Sequence, residues 1–371
     1  MTARRRAPFV APGYSLLLAL LILGPLLGPG YLLLRDAVST PRSYLTDSAL
    51  GLTDAAARAV PQDALLATLS VVVDGGLVVK AILLLALWAA GWGAARMVRT
   101  VLPTAGLGPQ LVAATVSVWN PYVAERLLQG HWSLLTGYAA LPWTVCATVA
   151  IRRGHRRGWF ALAACLAAAG LTPTGVLLAA VTAVAVLARP GGRSAAWLRV
   201  TGALGLFVVA SAPWLVATAL AGGGGDGSDP AGVAAFAARA EPGLATLGSL
   251  AGLGGVWNET AVPDTRTTLF ALVGTVLLLG VVLCGLPALW RRRRHPVVAA
   301  LTALALVAVL LPTLGATAWG LDAGRWMVQN VPGAGCSGTR RNGWRSRRRC
   351  MRSPPRPRCC DAPARGPSRP S

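Results

Sequence analysis

Charge is scarce in this 371-residue chain: Asp, Glu, Lys and Arg make up 13% of it, about half the share of a soluble domain. That scarcity excludes an ordinary water-soluble globule. Histidine is limited to three residues, and the seven cysteines nowhere take the paired CxxC spacing of a zinc site. A metal enzyme built on its own ligands is therefore not expected. A nucleotide-binding glycine loop, an HExxH helix and a GxSxG elbow are missing as well. Lysine is almost absent, with Lys80 alone against 34 Arg, which points to a coding sequence rich in G and C.

What the chain does have is apolar length. Hydrophobic residues make up 54% of it, and Leu, Ala, Val and Gly recur in runs near or above the ~20 residues that cross a hydrocarbon core. A membrane barrel would show shorter alternating segments instead. The expected fold is all-α, a polytopic transmembrane helix bundle in the cell membrane.

The net charge of +22 invites a nucleic-acid reading, but residues 336–371 alone hold 11 Arg against one Asp. Elsewhere the arginines sit in short clusters between apolar runs, where membrane topology explains them. No nucleic-acid partner is expected; the expected partners are membrane lipids.

Arg4, Arg5 and Arg6 precede an apolar run from Tyr14 to Leu34, which places the N-terminus in the cytoplasm. Acidic, arginine-poor segments then alternate with basic clusters at Arg96 and Arg99, Arg152 to Arg157, Arg189 to Arg199, and Arg291 to Arg294. This alternation predicts about nine crossings and exterior loops at 35–63, 120–132 and 222–266. One apolar stretch, 158–188, has basic residues at both ends, so it must turn back as a short hairpin at LTPTG (171–175). A further break is expected at Asp74-Gly75-Gly76. The division is a basic cytoplasmic N-terminus at 1–13, a transmembrane helical domain at 14–335, and a basic tail at 336–371.

The tail breaks the charge rule that the rest of the chain obeys, since its arginines would lie outside. Shifting the reading frame at Gly335, with G or C at most free codon positions, restores an apolar run approximating LLRDAxxWLALAAPLHA. Residues 336–371 are therefore expected to be a disordered frameshift product, and the chain a truncated form of a longer protein. The alternative is a real basic tail that binds anionic lipid or nucleic acid.

Chemistry-bearing residues concentrate in the exterior segments. Asp36 follows the first span beside Arg35, where a carboxylate at the membrane face suits a general base or the grip on a divalent cation. The plainer reading is an interfacial ion pair. In WNPYVAERLLQGHW (119–132), Glu125, Arg126, Gln129 and His131 form the densest polar cluster. Helical spacing places Tyr122, Glu125, Gln129 and Trp132 on one face and His131 off it. Such a face suits an anionic lipid head or a sugar, with Arg126 on phosphate; the plainer reading is an aromatic belt with a helix-end ion pair.

Three segments, RDAVSTPRSYLTDSALGL, WNPYVAERLLQGHWSLLTGYAALPW and AGLTPTG, carry a resemblance that covers approximately residues 10–335. Together they resemble large actinobacterial polytopic membrane proteins similar to the C-type (GT-C superfamily) glycosyltransferases. The resemblance implies a polyprenyl-phosphate sugar donor, a cell-envelope acceptor and a catalytic acidic residue in the first exterior loop. That residue maps onto Asp36 or Asp47. The loop lacks the adjacent acidic pair that such enzymes often carry. Two other classes stay open: a transporter or flippase for a lipid-linked anion, which needs charges buried within spans, and a non-catalytic membrane scaffold.

Overall fold

A computed structural model describes residues 3–53, 59–220 and 230–330. Every regular element among them is helical. In chain order the α-helices are α1 (Ala3–Leu23), α2 (Asp47–Leu50), α3 (Gln62–Leu69), α4 (Gly75–Val101), α5 (Leu107–Val118), α6 (Pro121–Gln129) and α7 (Trp132–Arg152). They continue with α8 (Arg157–Ala169), α9 (Pro173–Leu187), α10 (Ala196–Leu220), α11 (Ala231–Ala235), α12 (Thr246–Ala251), α13 (Phe270–Arg291), α14 (Pro296–Gly315) and α15 (Ala318–Asn330). The expected basic tail at 336–371 lies outside the described residues.

Six segments are long and apolar enough to cross a membrane: Phe9–Leu27, α4, α7, α10, α13 and α14. This architecture is compatible with an integral membrane protein. The other three helices placed among the nine crossings, α5, α8 and α9, have 12, 13 and 15 residues. At 1.5 Å per residue they reach roughly 18–22 Å, short of a ~30 Å core. Full-length spans therefore number six among the described residues, with α8 and α9 forming the short hairpin.

Local sequence explains the helix ends. α1 stops at Leu23, well before Leu34, because GPLLGPG (24–30) supplies prolines and glycines that cannot continue it. Asp74 caps α4, its Oδ1 accepting from Gly76 N at 2.8 Å and Leu77 N at 3.2 Å. Its Oδ2 accepts from Tyr31 OH at 2.7 Å. Lys80, buried one turn further along, donates to Gly28 O at 2.6 Å and Gly30 O at 2.7 Å. The turn after α1 is thus tied to the start of α4. The hairpin breaks at Gly170–Thr172, where Thr172 caps α9 and Pro173 occupies its first turn.

The core gathers Leu18, Leu23, Val79, Leu83, Leu87, Val118, Val123 and Leu135 from α1, α4, α5, α6 and α7. Glycines set the closest approaches. A Cβ on Gly91 would lie 2.9 Å from Ser15 Oγ and Val118 Cγ2, and one on Gly93 would lie 2.5 Å from Trp143 Nε1. Trp143 stands edge-on to Trp92, which stacks on Trp88, with ring centroids 5.0 and 5.3 Å apart.

Arginines knit one end of the bundle. The buried Arg152 guanidinium donates to the carbonyls of Val186, Arg189, Pro190 and Gly191, and Arg199 donates to those of Leu187, Arg189 and Ser194. Both cations sit where α9 leaves its last carbonyls without partners. Arg292 Nη1 reaches Val101 O at 3.3 Å, which brings the C-terminus of α4 to the same end. The start of α4, the whole of α6 and the start of α7 consequently lie at the other end, with the segments around Asp36 and Thr260.

Candidate functional site

At that second end, three stretches distant in sequence are stitched together. α6 begins with Asn120, whose Oδ1 accepts from Val123 N at 3.0 Å, followed by Pro121 in the first turn. It ends at Gly130, which takes φ +80 and would drive a Cβ to 2.4 Å from Ala37 N. Only glycine fits there. The chain after α1 docks on this helix end through Asp36 N, which donates to Gln129 O at 3.2 Å. Arg35, itself at φ +54, donates from Nη1 to Leu128 O at 2.5 Å and from Nη2 to Thr260 O. The first loop, α6 and the loop before α13 therefore meet at one guanidinium.

Asp36, Arg126 and His131 form a relay. Asp36 Oδ2 lies 2.9 Å from His131 Nε2, and His131 Nδ1 lies 3.3 Å from Arg126 Nη1. Arginine only donates, so Nδ1 is the acceptor and the ring proton sits on Nε2, donated to Asp36. Burial, then the Arg126 charge, hold the His131 pKa below its ordinary value despite the Asp36 carboxylate. A neutral imidazole thus orients a carboxylate whose side chain is 68% exposed and whose Oδ1 has no hydrogen-bond partner among the described residues. Arg126 also lies over the Tyr122 ring, 5.1 Å from its centroid.

His131 reaches this position because Gly130 ends α6. Wheel arithmetic that continues the helix through 131 misplaces it. Glu125 and Gln129 share a face of α6 that is buried, 1% and 3% exposed, and Trp132 opens α7. Burial pushes the Glu125 carboxyl up to about 7, with Glu241 also raising it and Arg126, Arg266 and Arg239 pulling the other way. Asp47 stands apart from this relay: it is exposed, opens α2, and that short helix packs on α3 and, through Gly51, against Ala217 of α10.

The charges around Glu125 reveal residues that sequence reading passed over. Glu241 and Arg266, in the segment between α11 and α13, form a buried fork: Glu241 Oε1 accepts from Arg266 Nε at 3.1 Å and Oε2 from Arg266 Nη2. Gly255 N adds a bond to Oε1 at 3.3 Å, and Gly254 passes so close that a Cβ would come within 2.6 Å of that same oxygen. The glycines of GLGG (252–255) let the backbone wrap this pair. Only the paired signs within one acidic segment hinted at it, and nothing local joined them to α6.

An apolar groove of about 600 Å³ runs between α4, the first half of α7 and the end of α8, with α3 at one end. Ile82, Leu85, Ala139, Trp143, Ala168 and Leu171 are among its walls. Its first α7 residue, Thr136, follows His131 by little more than one helical turn. No group of three or more His, Cys, Asp or Glu able to hold a metal ion occurs among the described residues. No protein-family model, curated protein or solved structure matches this chain.

Proposed function

We propose that the chain is a multi-pass membrane enzyme, or the bulk of one, that transfers a sugar from a polyprenyl-phosphate donor to a cell-envelope acceptor at the exterior face. The observation that carries this reading is the Arg126–His131–Asp36 relay, in a bundle that also holds an apolar groove between α4, α7 and α8. Asp36 is the base. Its free Oδ1 takes the proton of the acceptor hydroxyl as that oxygen bonds to the anomeric carbon, while the bond from that carbon to the phosphate oxygen breaks. Polyprenyl phosphate leaves with the bonding electrons, and Arg126 offsets the charge that develops on it. His131 acts through Asp36 by fixing its orientation. The hydrocarbon chain of the donor fits the groove, whose walls are almost entirely carbon. The exposed Asp36 carboxylate suits either the role of base or the grip on a divalent cation, not both at once.

The charge alternation along the sequence supports a cytoplasmic N-terminus and an exterior relay. Against a transporter, the buried charges of the spans are committed to backbone: Lys80 to two carbonyls, and Arg152 and Arg199 to the carbonyls at and just after the end of α9, while Asp74 caps α4. The test is incorporation of label from polyprenyl-phosphate sugars by membranes that overexpress the protein, set against Asp36→Asn. Loss of the base lowers incorporation about 10²–10⁴-fold. Equal incorporation by both proteins eliminates Asp36 as the base.

A further inference from the structure

Three carboxyls of the candidate site already have a partner or a burial that accounts for them. Asp36 pairs with His131, Glu241 pairs with Arg266, and Glu125 is held toward its neutral form by burial. Among the described arginines, Arg126 on α6 and Arg239 on the loop before α12 are the two that keep buried guanidinium nitrogens without a hydrogen-bond partner. Both bear on Glu125, which lies within the field of each.

Each of these guanidiniums is buried in part. Arg126 Nε, Arg239 Nε and Arg239 Nη2 are buried and lack an acceptor, and the one bond of the Arg239 side chain is a long 3.5 Å contact from Nη1 to Ala240 O. Gln129 Nε2 and Glu125 Oε1, on residues more than nine-tenths buried, are unpartnered on the same face of α6. Leaving buried charged donors unmade is costly. Arg239 is nonetheless held in place by its backbone, since Arg239 N donates to Gly255 O at 3.0 Å, and Gly255 takes φ +81. The loop that presents it is anchored by the Glu241–Arg266 fork. This is a built arrangement of four donors and one acceptor.

We infer that Arg239 and Arg126 form a two-armed clamp for a phosphate group, with Gln129 as a further donor. The inference rests on the proposed function and deepens it by assigning a second phosphate contact, from a loop that the relay does not use. A carboxylate offers two coplanar oxygens, which a single guanidinium fork satisfies. Guanidiniums arriving from two separate segments, joined by an amide, suit a tetrahedral group with three or more acceptor oxygens. Such a group is either the headgroup of a lipid phosphate or a free phosphate ion.

Binding to the purified full chain in detergent tests this, with dodecyl phosphate and inorganic phosphate as probes. Arg239→Gln, Arg239→Lys and Arg126→Gln are compared with wild type and with Arg153→Gln, a substitution at an exposed residue of the opposite end. Loss of a charge-assisted contact weakens binding about ten- to a hundredfold, so both Gln variants fall by that amount and Arg153→Gln does not. Arg239→Lys keeps the charge and the aliphatic stem but loses the planar fork; it too weakens binding, which guards against a folding defect in the Gln variant. Tighter binding of dodecyl phosphate than of inorganic phosphate assigns the clamp to a lipid headgroup, and equal binding assigns it to the free ion. If Arg126→Gln weakens binding while both Arg239 variants match wild type, the clamp is overturned and the proposed function stands. If none of the variants weakens it, both fall.

Discussion

Glu125→Gln isolates the most perturbed acid of the candidate site. In the folded chain its carboxyl titrates near 7, whereas the unfolded reference is 4.5. Between those values the folded protein holds a proton that the unfolded chain has released. Stability therefore falls as pH rises from 4.5, and the loss is complete above about 7. The difference between the two pKa values corresponds to about 3 kcal/mol. The cause is burial of a 1%-exposed carboxyl near Glu241, only partly offset by Arg126, Arg266 and Arg239. Glutamine keeps the shape and stays neutral. Apparent melting temperatures of wild type and Glu125→Gln in detergent at pH 5, 6, 7 and 8 should diverge, with the variant gaining on wild type at each step. Subtracting the profiles removes His131, whose lowered pKa gives the opposite slope below its ordinary value of 6.5. Parallel profiles would refute the reasoning.

Three further outcomes are expected. Arg266→Met strands the Glu241 carboxylate and should cost about 3–5 kcal/mol; the double variant with Glu241→Leu should recover much of the lost melting temperature, and failure to recover would deny the pairing. Gly93→Ala places a methyl 2.5 Å from Trp143 Nε1, which is itself bonded to Ala89 O at 2.9 Å. It should destabilise the α4–α7 contact by about 1–3 kcal/mol, and an unchanged melting temperature would contradict the packing described. His131→Phe removes the bond that orients Asp36, so labelled sugar transfer should fall while phosphate binding through Arg126 persists.

Local signals carried the helix breaks and the polar segment. LTPTG (171–175) marks the hairpin because Thr172 and Pro173 can start a helix but not continue one, and Asp74-Gly75-Gly76 marks the start of α4 through a carboxylate cap. The end of α1 was less legible, since leucines within GPLLGPGYLLL keep the hydropathy high where prolines and glycines have already ended the helix. The run at 107–119 and the arms of 158–188 are visibly short in the sequence, and counting them as crossings makes nine where six segments are long and apolar enough to span.

The site was legible in part for the same physical reason. Asp36, Glu125, Arg126, Gln129 and His131 stand out as polar groups in apolar surroundings, but the bond between Asp36 and His131 spans 95 positions and has no periodic signature. Arg239, Glu241 and Arg266 meet α6 only through tertiary folding of a glycine-rich loop. A wheel drawn through residues 122–132 also could not register that Gly130 turns the backbone into the left-handed region and swings His131 toward Asp36.

The proposed function requires the Asp36 end of the bundle to face the exterior and receive a lipid phosphate. A single cysteine at position 36, in a background with the native cysteines replaced, tests it through a membrane-impermeant maleimide added to intact cells and to inverted vesicles. Labelling is expected in cells and not in sealed inverted vesicles, with protection in cell membranes by added polyprenyl phosphate. Labelling confined to inverted vesicles, or labelling that polyprenyl phosphate leaves unchanged, would contradict it.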